Sequence, residues 1–260
     1  MIAGAVREAL AAYLLMLSDP GRVLRFAGAP ALVFVVFGLV QLTAGPGSGT
    51  LFMLLSVVAL VWVQGLWVVR WQRFMLLGED TAKFWDMPAE TRVWKMGGRV
   101  LLMFMAAGLL ALIAASLLVG LFLTASPPGE GEGPSVAAVL LALVPVVGIV
   151  MWLVSRLGPG LTGVSVDRPA LLGQSWRATS AMGGLPAFVA FALVNLPLQI
   201  IPGLLIFASL ATDNPLLALL TQLSLAVVQP LMAALMAILW ARIWSAAIDQ
   251  PLPRRVDLEA

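Results

Sequence analysis

The chain has 260 residues, 61% hydrophobic and 11% charged, with a net charge of +2 and a mean hydropathy of +1.02. Soluble domains carry about 25% charged residues, and a globule of this length has too little interior for so much apolar surface, so lipid is the expected solvent. Cys and His are absent, which excludes disulfides, thiolate ligands and Cys nucleophiles and removes the commonest metal ligand; no metal site and no cofactor is expected.

A bilayer core needs roughly 20 apolar residues per helical span. In chain order, the first segment is amphipathic: Val6, Leu10, Leu14 and Leu17 share one helical face, with Arg7 and Glu8 off it. No small-residue cleavage site follows Leu10–Leu17, so a cleavable signal is not expected. The first span is Phe26–Thr43, broken near its start by Gly28 and Pro30, and the turn Ala44–Thr50 leads to the second, Leu51–Val69. A second amphipathic segment interleaves Phe84-Trp85 and Val93-Trp94 with Asp86, Glu90, Arg92 and Lys95. Spans three and four are Val100–Ala125 and Val136–Ser155, joined by Ser126–Ser135 with Glu130 and Glu132. In a third amphipathic segment, Leu171, Leu172, Ser175 and Trp176 lead into Arg177. Spans five and six are Leu185–Thr212 and Leu216–Ile238, joined by Asp213, Asn214 and Pro215. An apolar helix face with aromatic and basic residues suits the headgroup boundary, so all three amphipathic segments are predicted to be interfacial helices.

The 15 Lys and Arg avoid the three short turns, which hold only acids. Basic residues near span ends stay cytoplasmic, so both termini are expected inside. Trp67, Trp71, Trp152, Trp240 and Trp244 fall where spans two, four and six reach that boundary, where indole rings are favoured as anchors. Met-Gly-Gly recurs at 96–98 and 182–184, just before spans three and five, a weak internal similarity among three hairpin units.

Within or near the spans the polar residues are amides: Gln41, Gln64, Asn195, Gln199, Gln222 and Gln229. Span five gathers Asn195, Pro197, Gln199, Pro202 and Gly203, and broken helices with polar side chains mark some transport sites. The same residues also serve helix packing, and no ionisable group lies among them for ion coupling. The best acids for catalysis, Glu79, Asp80, Asp86 and Glu90, alternate with Lys83, Arg92 and Lys95, the pattern of a solvated loop, so no enzyme is expected. Scattered basic residues do not form a nucleic-acid surface.

Two stretches, Arg70-Trp71-Gln72-Arg73-Phe74-Met75-Leu76-Leu77-Gly78-Glu79 and Leu172-Gly173-Gln174-Ser175-Trp176-Arg177-Ala178-Thr179, resemble those of six-helix bacterial inner-membrane proteins of unknown function. That group is similar to the membrane domain of some glycerophosphodiester phosphodiesterases and to the YciC-like proteins. The resemblance implies a three-hairpin bundle without established catalytic residues.

The sequence therefore predicts an all-α polytopic membrane bundle over residues 1–260, with six spans in three hairpins, in a bacterial inner membrane. Two functions are open. One is organisation or scaffolding of membrane lipids and other membrane proteins, with Trp85, Arg92, Trp94, Lys95, Trp176 and Arg177 as contacts. The other is a small-molecule or lipid transporter among spans four to six, with Asn195, Gln199, Gln222 and Gln229 lining the path.

Overall fold

A computed structural model describes residues 2–43, 49–125 apart from 81, 84, 87 and 89, 136–181, 183–212 and 214–247. The outer turns, Phe84, Met182, Asp213 and the tail with Asp249 fall outside these residues, as does the side chain of Gln41. Every regular element described is a helix: α1 (Ile2–Leu17), α2 (Pro20–Thr43), α3 (Gly49–Leu77), α4 (Thr91–Ala125), α5 (Val136–Leu157), a 3-10 helix (Gly158–Val166), α6 (Leu172–Ala181), α7 (Leu185–Thr212) and α8 (Pro215–Ala247). Five stretches are long and apolar enough to cross a membrane: Leu54–Leu77, Thr91–Leu118, Val144–Val166, Leu185–Ser209 and Leu216–Ala246. The remaining expected span lies in α2, whose helix is broken at Gly28 (φ −17°, ψ −105°).

Helices outrun the apolar stretches from which they were predicted. α3 continues to Leu77 and α8 to Ala247, while α4 starts at Thr91. These extensions carry Trp and Arg, and they pack on one another rather than lying flat on a membrane. Trp67, Trp71, Trp240 and Trp244 are between 0% and 3% exposed, so four of the five expected interfacial anchors are core residues; only Trp152 is substantially exposed. Phe26, Trp71 and Phe74 meet edge to face, with centroids 5.1–6.2 Å apart, and join α2 to α3.

The hub of this end is the 3-10 helix. Its sequence, Gly158-Pro159-Gly160-Leu161-Thr162-Gly163-Val164-Ser165-Val166, is buried from Gly158 to Ser165. Runs of 3-10 geometry beyond 3–4 residues are uncommon, and glycine explains this one. A Cβ on Gly158 would overlap the Trp240 indole, one on Gly160 would meet Leu171 O and Ser175, and one on Gly163 would meet Pro169 O and Trp244. Polar groups are matched locally. Gln72 donates from Nε2 to Thr162 Oγ1 (3.1 Å) and accepts at Oε1 from the Ser165 hydroxyl. Arg73 donates to Ser165 O (2.9 Å), and Leu171 N to Gly160 O (2.9 Å).

The second amphipathic segment is not the helix predicted for it: the described residues between Gly78 and Glu90 are non-helical, and Val93-Trp94 belong to the first turn of α4. Acids there are drawn to arginines of other elements, and the Trp62 indole donates to Pro88 O (3.2 Å). The first and third segments are helical, as α1 and α6. α1 buries Ala5, Ala9, Ala12, Leu15 and Met16 against the bundle and exposes Ile2, Val6, Leu10, Leu14 and Leu17. Tyr13 donates to Val194 O (2.9 Å) and approaches Leu193 O (3.4 Å). Pro197 has no N–H to give the Leu193 carbonyl four residues earlier, so the sole tyrosine serves backbone acceptors where the α7 ladder is interrupted. Burial raises the Tyr13 phenol above its ordinary pKa, keeping it a donor.

The closest helix approach is between α3 and α4. A Cβ on Gly97 would fall well inside van der Waals contact with Val61 O, and one on Gly65 would strike Val93 O. Small residues at crossings let backbones touch in this way. Gly98, next in the chain, has nothing within 4 Å of a would-be Cβ. The two glycines should respond oppositely to Ala. Gly97→Ala overpacks the crossing and should lower stability by about 1–3 kcal/mol; Gly98→Ala, in an open helical position, should be neutral or stabilising by up to about 1 kcal/mol. Thermal unfolding in detergent compares them, and equal effects would contradict the crossing.

Candidate functional site

Between α3, α4, α5, α7 and α8 lies a cavity of about 670 Å³, walled mainly by apolar side chains including Leu60, Val100, Phe104, Met151, Phe191 and Met236. Its size falls within the roughly 300–1,000 Å³ range of small-molecule sites. Val147, Phe104 and Leu196 line it and are themselves 47%, 39% and 49% exposed, so its mouth opens sideways, between helices, at the surface where lipid would lie.

Four carboxamides line this space: Gln64 of α3, Asn195 and Gln199 of α7, and Gln229 of α8. Gln64 Nε2 donates to Gln229 Oε1 (3.4 Å), Gln199 Nε2 to Met232 Sδ (2.7 Å), and Asn195 Nδ2 to Phe191 O (2.8 Å). Each amide can make further bonds, and among the described residues these contacts leave the Asn195, Gln199 and Gln64 carbonyl oxygens and the Gln229 amino group unused. The cavity offers neutral donors and acceptors in an apolar wall. It contains no Asp, Glu, Lys or Arg.

Of the four residues assigned to a path, Asn195, Gln199 and Gln229 are brought together here; Gln222 does not line the cavity. The site also draws on α3 and α4, so it is not confined to spans four to six. Gln64 stood apart in sequence, and only folding carries it to Gln229, 165 positions away.

The six expected lipid or partner contacts do not converge. Arg92 is held by Glu90 (2.5 Å) and Asp167 (2.9 Å). Trp176 packs edge-on against Trp152, centroids 5.2 Å apart. Trp85 and Trp94 are 72% and 39% exposed, and Lys95 and Arg177 are exposed on α4 and α6.

A second, polar crevice of about 470 Å³ is lined by Arg70, Arg73, Glu79, Asp86 and Glu90 among others. Each candidate catalytic acid around it has a partner. Glu79 pairs with Arg73, Asp86 accepts from Lys83 N (2.7 Å), and Asp80 bridges Arg22 (3.2 Å) and Arg25 (3.1 Å). Arg70, 7% exposed, donates to Phe26 O (2.8 Å) and to Asp86 O, tying α2 and the 78–90 segment to α3. These contacts are structural clasps. Among the described residues no group of three or more acids is placed to hold a metal ion. The chain matches no family model, no curated protein and no solved structure.

Partial burial works to raise the Asp80 carboxyl, but the hydrogen bonds and charges of Arg25 and Arg22 outweigh it and hold its pKa below the ordinary value. A depressed folded-state pKa stabilises the fold above the unfolded value of about 3.9, and the contribution disappears as pH falls through the folded value. Asp80→Asn should therefore cost a few tenths to about 1 kcal/mol at neutral pH. The gap to the parent should close below about pH 4; a gap independent of pH in chemical unfolding would contradict the clasp.

Proposed function

We propose that this is a six-span bacterial inner-membrane protein that binds a lipid or lipid-like amphiphile inside the bilayer, without catalysing a reaction. The observation that carries the reading is the uncharged cavity with four carboxamides in its wall. Acyl chains fit its apolar surface, and the unused amide groups match an ester, amide or hydroxyl of a lipid backbone, which has no water to bond within hydrocarbon. An ion or strongly charged solute would enter without a counter-charge, at high desolvation cost.

In this reading α2–α3, α4–α5 and α7–α8 form three hairpins of six spans, the arrangement that the resemblance implies. Arg22 and Arg25 of α2 share Asp80 beyond α3; Arg73 of α3 and Arg92 of α4 share Asp167; and Arg242 of α8 holds Glu8 of α1 (2.7 Å). Such pairing supports one charged end, which the excess of cations assigns to the cytoplasm. In this reading α1 lies along the inner leaflet, its leucine face toward acyl chains and the exposed Arg7 toward headgroups. That exposed stripe favours a second role, organising nearby lipids or membrane proteins. Passage of the ligand across the bilayer is the other extension, favoured by Pro197, Pro202 and Pro230 in the helices that bear the amides.

Two measurements test this reading. The chain has no cysteine, so a single Cys at Arg168 can be labelled without background; it should react in inverted vesicles and be protected in intact cells, and the reverse pattern would overturn the orientation. Native mass spectrometry of the full chain should show retained lipid. Gln199→Leu with Gln229→Leu should reduce that retention about tenfold or more, because removing two hydrogen-bonding groups at about 0.5–1.5 kcal/mol each gives this scale. Unchanged retention in a folded variant would remove the site.

A further inference from the structure

Arg156, near the end of α5, is 6% exposed, and among the described residues no carboxylate lies within ion-pairing distance of it. Nη2 donates to Ser180 Oγ and to Trp176 O (3.3 Å), both on α6. Nε is buried without a hydrogen-bond partner among the described residues. The guanidinium stacks near Trp176 (4.4 Å to the ring centroid) and Trp152 (5.5 Å). Gly184, with φ +40°, leaves the space beside Nη1 that any Cβ would fill.

Among the described residues two arginines are buried, Arg156 and Arg70. Arg22, Arg25, Arg73, Arg92 and Arg242 have acid partners, and Arg70 donates to three backbone carbonyls. A buried charge left without a counter-charge is strongly destabilising. Trp152 and Ser180, which contact Arg156, are exposed, so the guanidinium lies just beneath the protein surface.

We infer that Arg156, with Trp152 and Trp176, is the headgroup site for the phosphate of an anionic phospholipid whose chain runs into the carboxamide cavity. This rests on the lipid-binding reading of that cavity and names its ligand. The geometry links the two. Met151 on α5 and Phe191 on α7 line the cavity; Met151 precedes Arg156 and Phe191 follows Gly184, each offset by roughly 7–11 Å of helix axis at 1.5 Å per residue. That is the offset expected between a phosphate at the membrane boundary and the first part of its acyl chains. Arginine suits the role because its planar fork can give two parallel bonds to phosphate while its face stays stacked on indole.

The experiment places the full-length protein in nanodiscs of equal phosphatidylcholine and phosphatidylglycerol and counts, by native mass spectrometry, the lipids that survive a delipidating wash. The parent should retain phosphatidylglycerol over phosphatidylcholine by about tenfold, the scale of one charge-assisted bond pair. Arg156→Gln should still hold lipid but lose the preference. Arg156→Lys, which keeps the charge and guards against a folding defect in the Gln variant, should keep a weakened one. Arg168→Gln, an exposed control outside the site, should match the parent. An undiminished preference in folded Arg156→Gln overturns this inference and leaves the cavity reading standing, whereas a parent that retains no lipid overturns both. If millimolar inorganic phosphate stabilises lipid-free parent but not Arg156→Gln, and phosphatidylglycerol is not enriched, the site takes free anion and the headgroup assignment fails.

Discussion

A buried backbone must find partners within the protein for its N–H and C=O groups, and residues 158–166 are where this chain meets that constraint without an α-helix. Three glycines let the 3-10 turns press against Trp240, Trp244 and the start of α6, while Arg73 and Leu171 N bond the Ser165 and Gly160 carbonyls and Gln72 holds the Thr162 and Ser165 hydroxyls. α3, α4, α5, α6 and α8 all meet this segment. Packing outweighs hydrogen bonding at one point: Trp240 Nε1 is buried without a partner among the described residues, its ring fixed against Gly158. A filled end of this kind holds these helices together around the 3-10 segment.

The cavity lies among α3, α4, α5, α7 and α8. Gly65 and Gly97 bring α3 and α4 into backbone contact, and Gly97 is also part of the cavity wall, so the crossing that stabilises the pair shapes the space beside it. Carboxamides suit such a place because a neutral amide asks for hydrogen bonds without the desolvation cost of a charge. Prolines in α7 and α8 stand close in sequence to Asn195, Gln199 and Gln229, and Tyr13 of α1 serves the carbonyls at the α7 interruption. The peripheral helix is thereby coupled to the wall of the site.

Hydropathy and helical periodicity made the helices legible in the sequence, along with the leucine stripe of α1 and the amides of α7. Burial of the tryptophans was not legible. An indole beside an arginine at a span end reads as an interfacial anchor, and only the glycine-rich segment converts Trp240 and Trp244 into core, as Phe26 of α2 does for Trp71. Repeated Met-Gly-Gly also misled. Gly97 serves a helix crossing, whereas Gly183 and Gly184 adopt positive φ to turn α6 into α7, so one motif does two unrelated jobs. Partners distant along the chain, such as Gln64 with Gln229 or Glu8 with Arg242, leave no local trace. Five clear spans were readable; α2, with arginines near its start and a break at Gly28, carries the weakest signal of the six.

The central claim is that the space among α3, α4, α5, α7 and α8 holds a chosen lipid rather than whatever the bilayer supplies. A photoreactive benzoylphenylalanine at Phe104, on the wall of the cavity, can be compared with one at Leu109, which is 60% exposed on the same helix. The account predicts that Phe104 captures one lipid class out of proportion to its abundance, while Leu109 captures the bulk mixture. The same mixture at both positions, or capture of protein alone at Phe104, would contradict it.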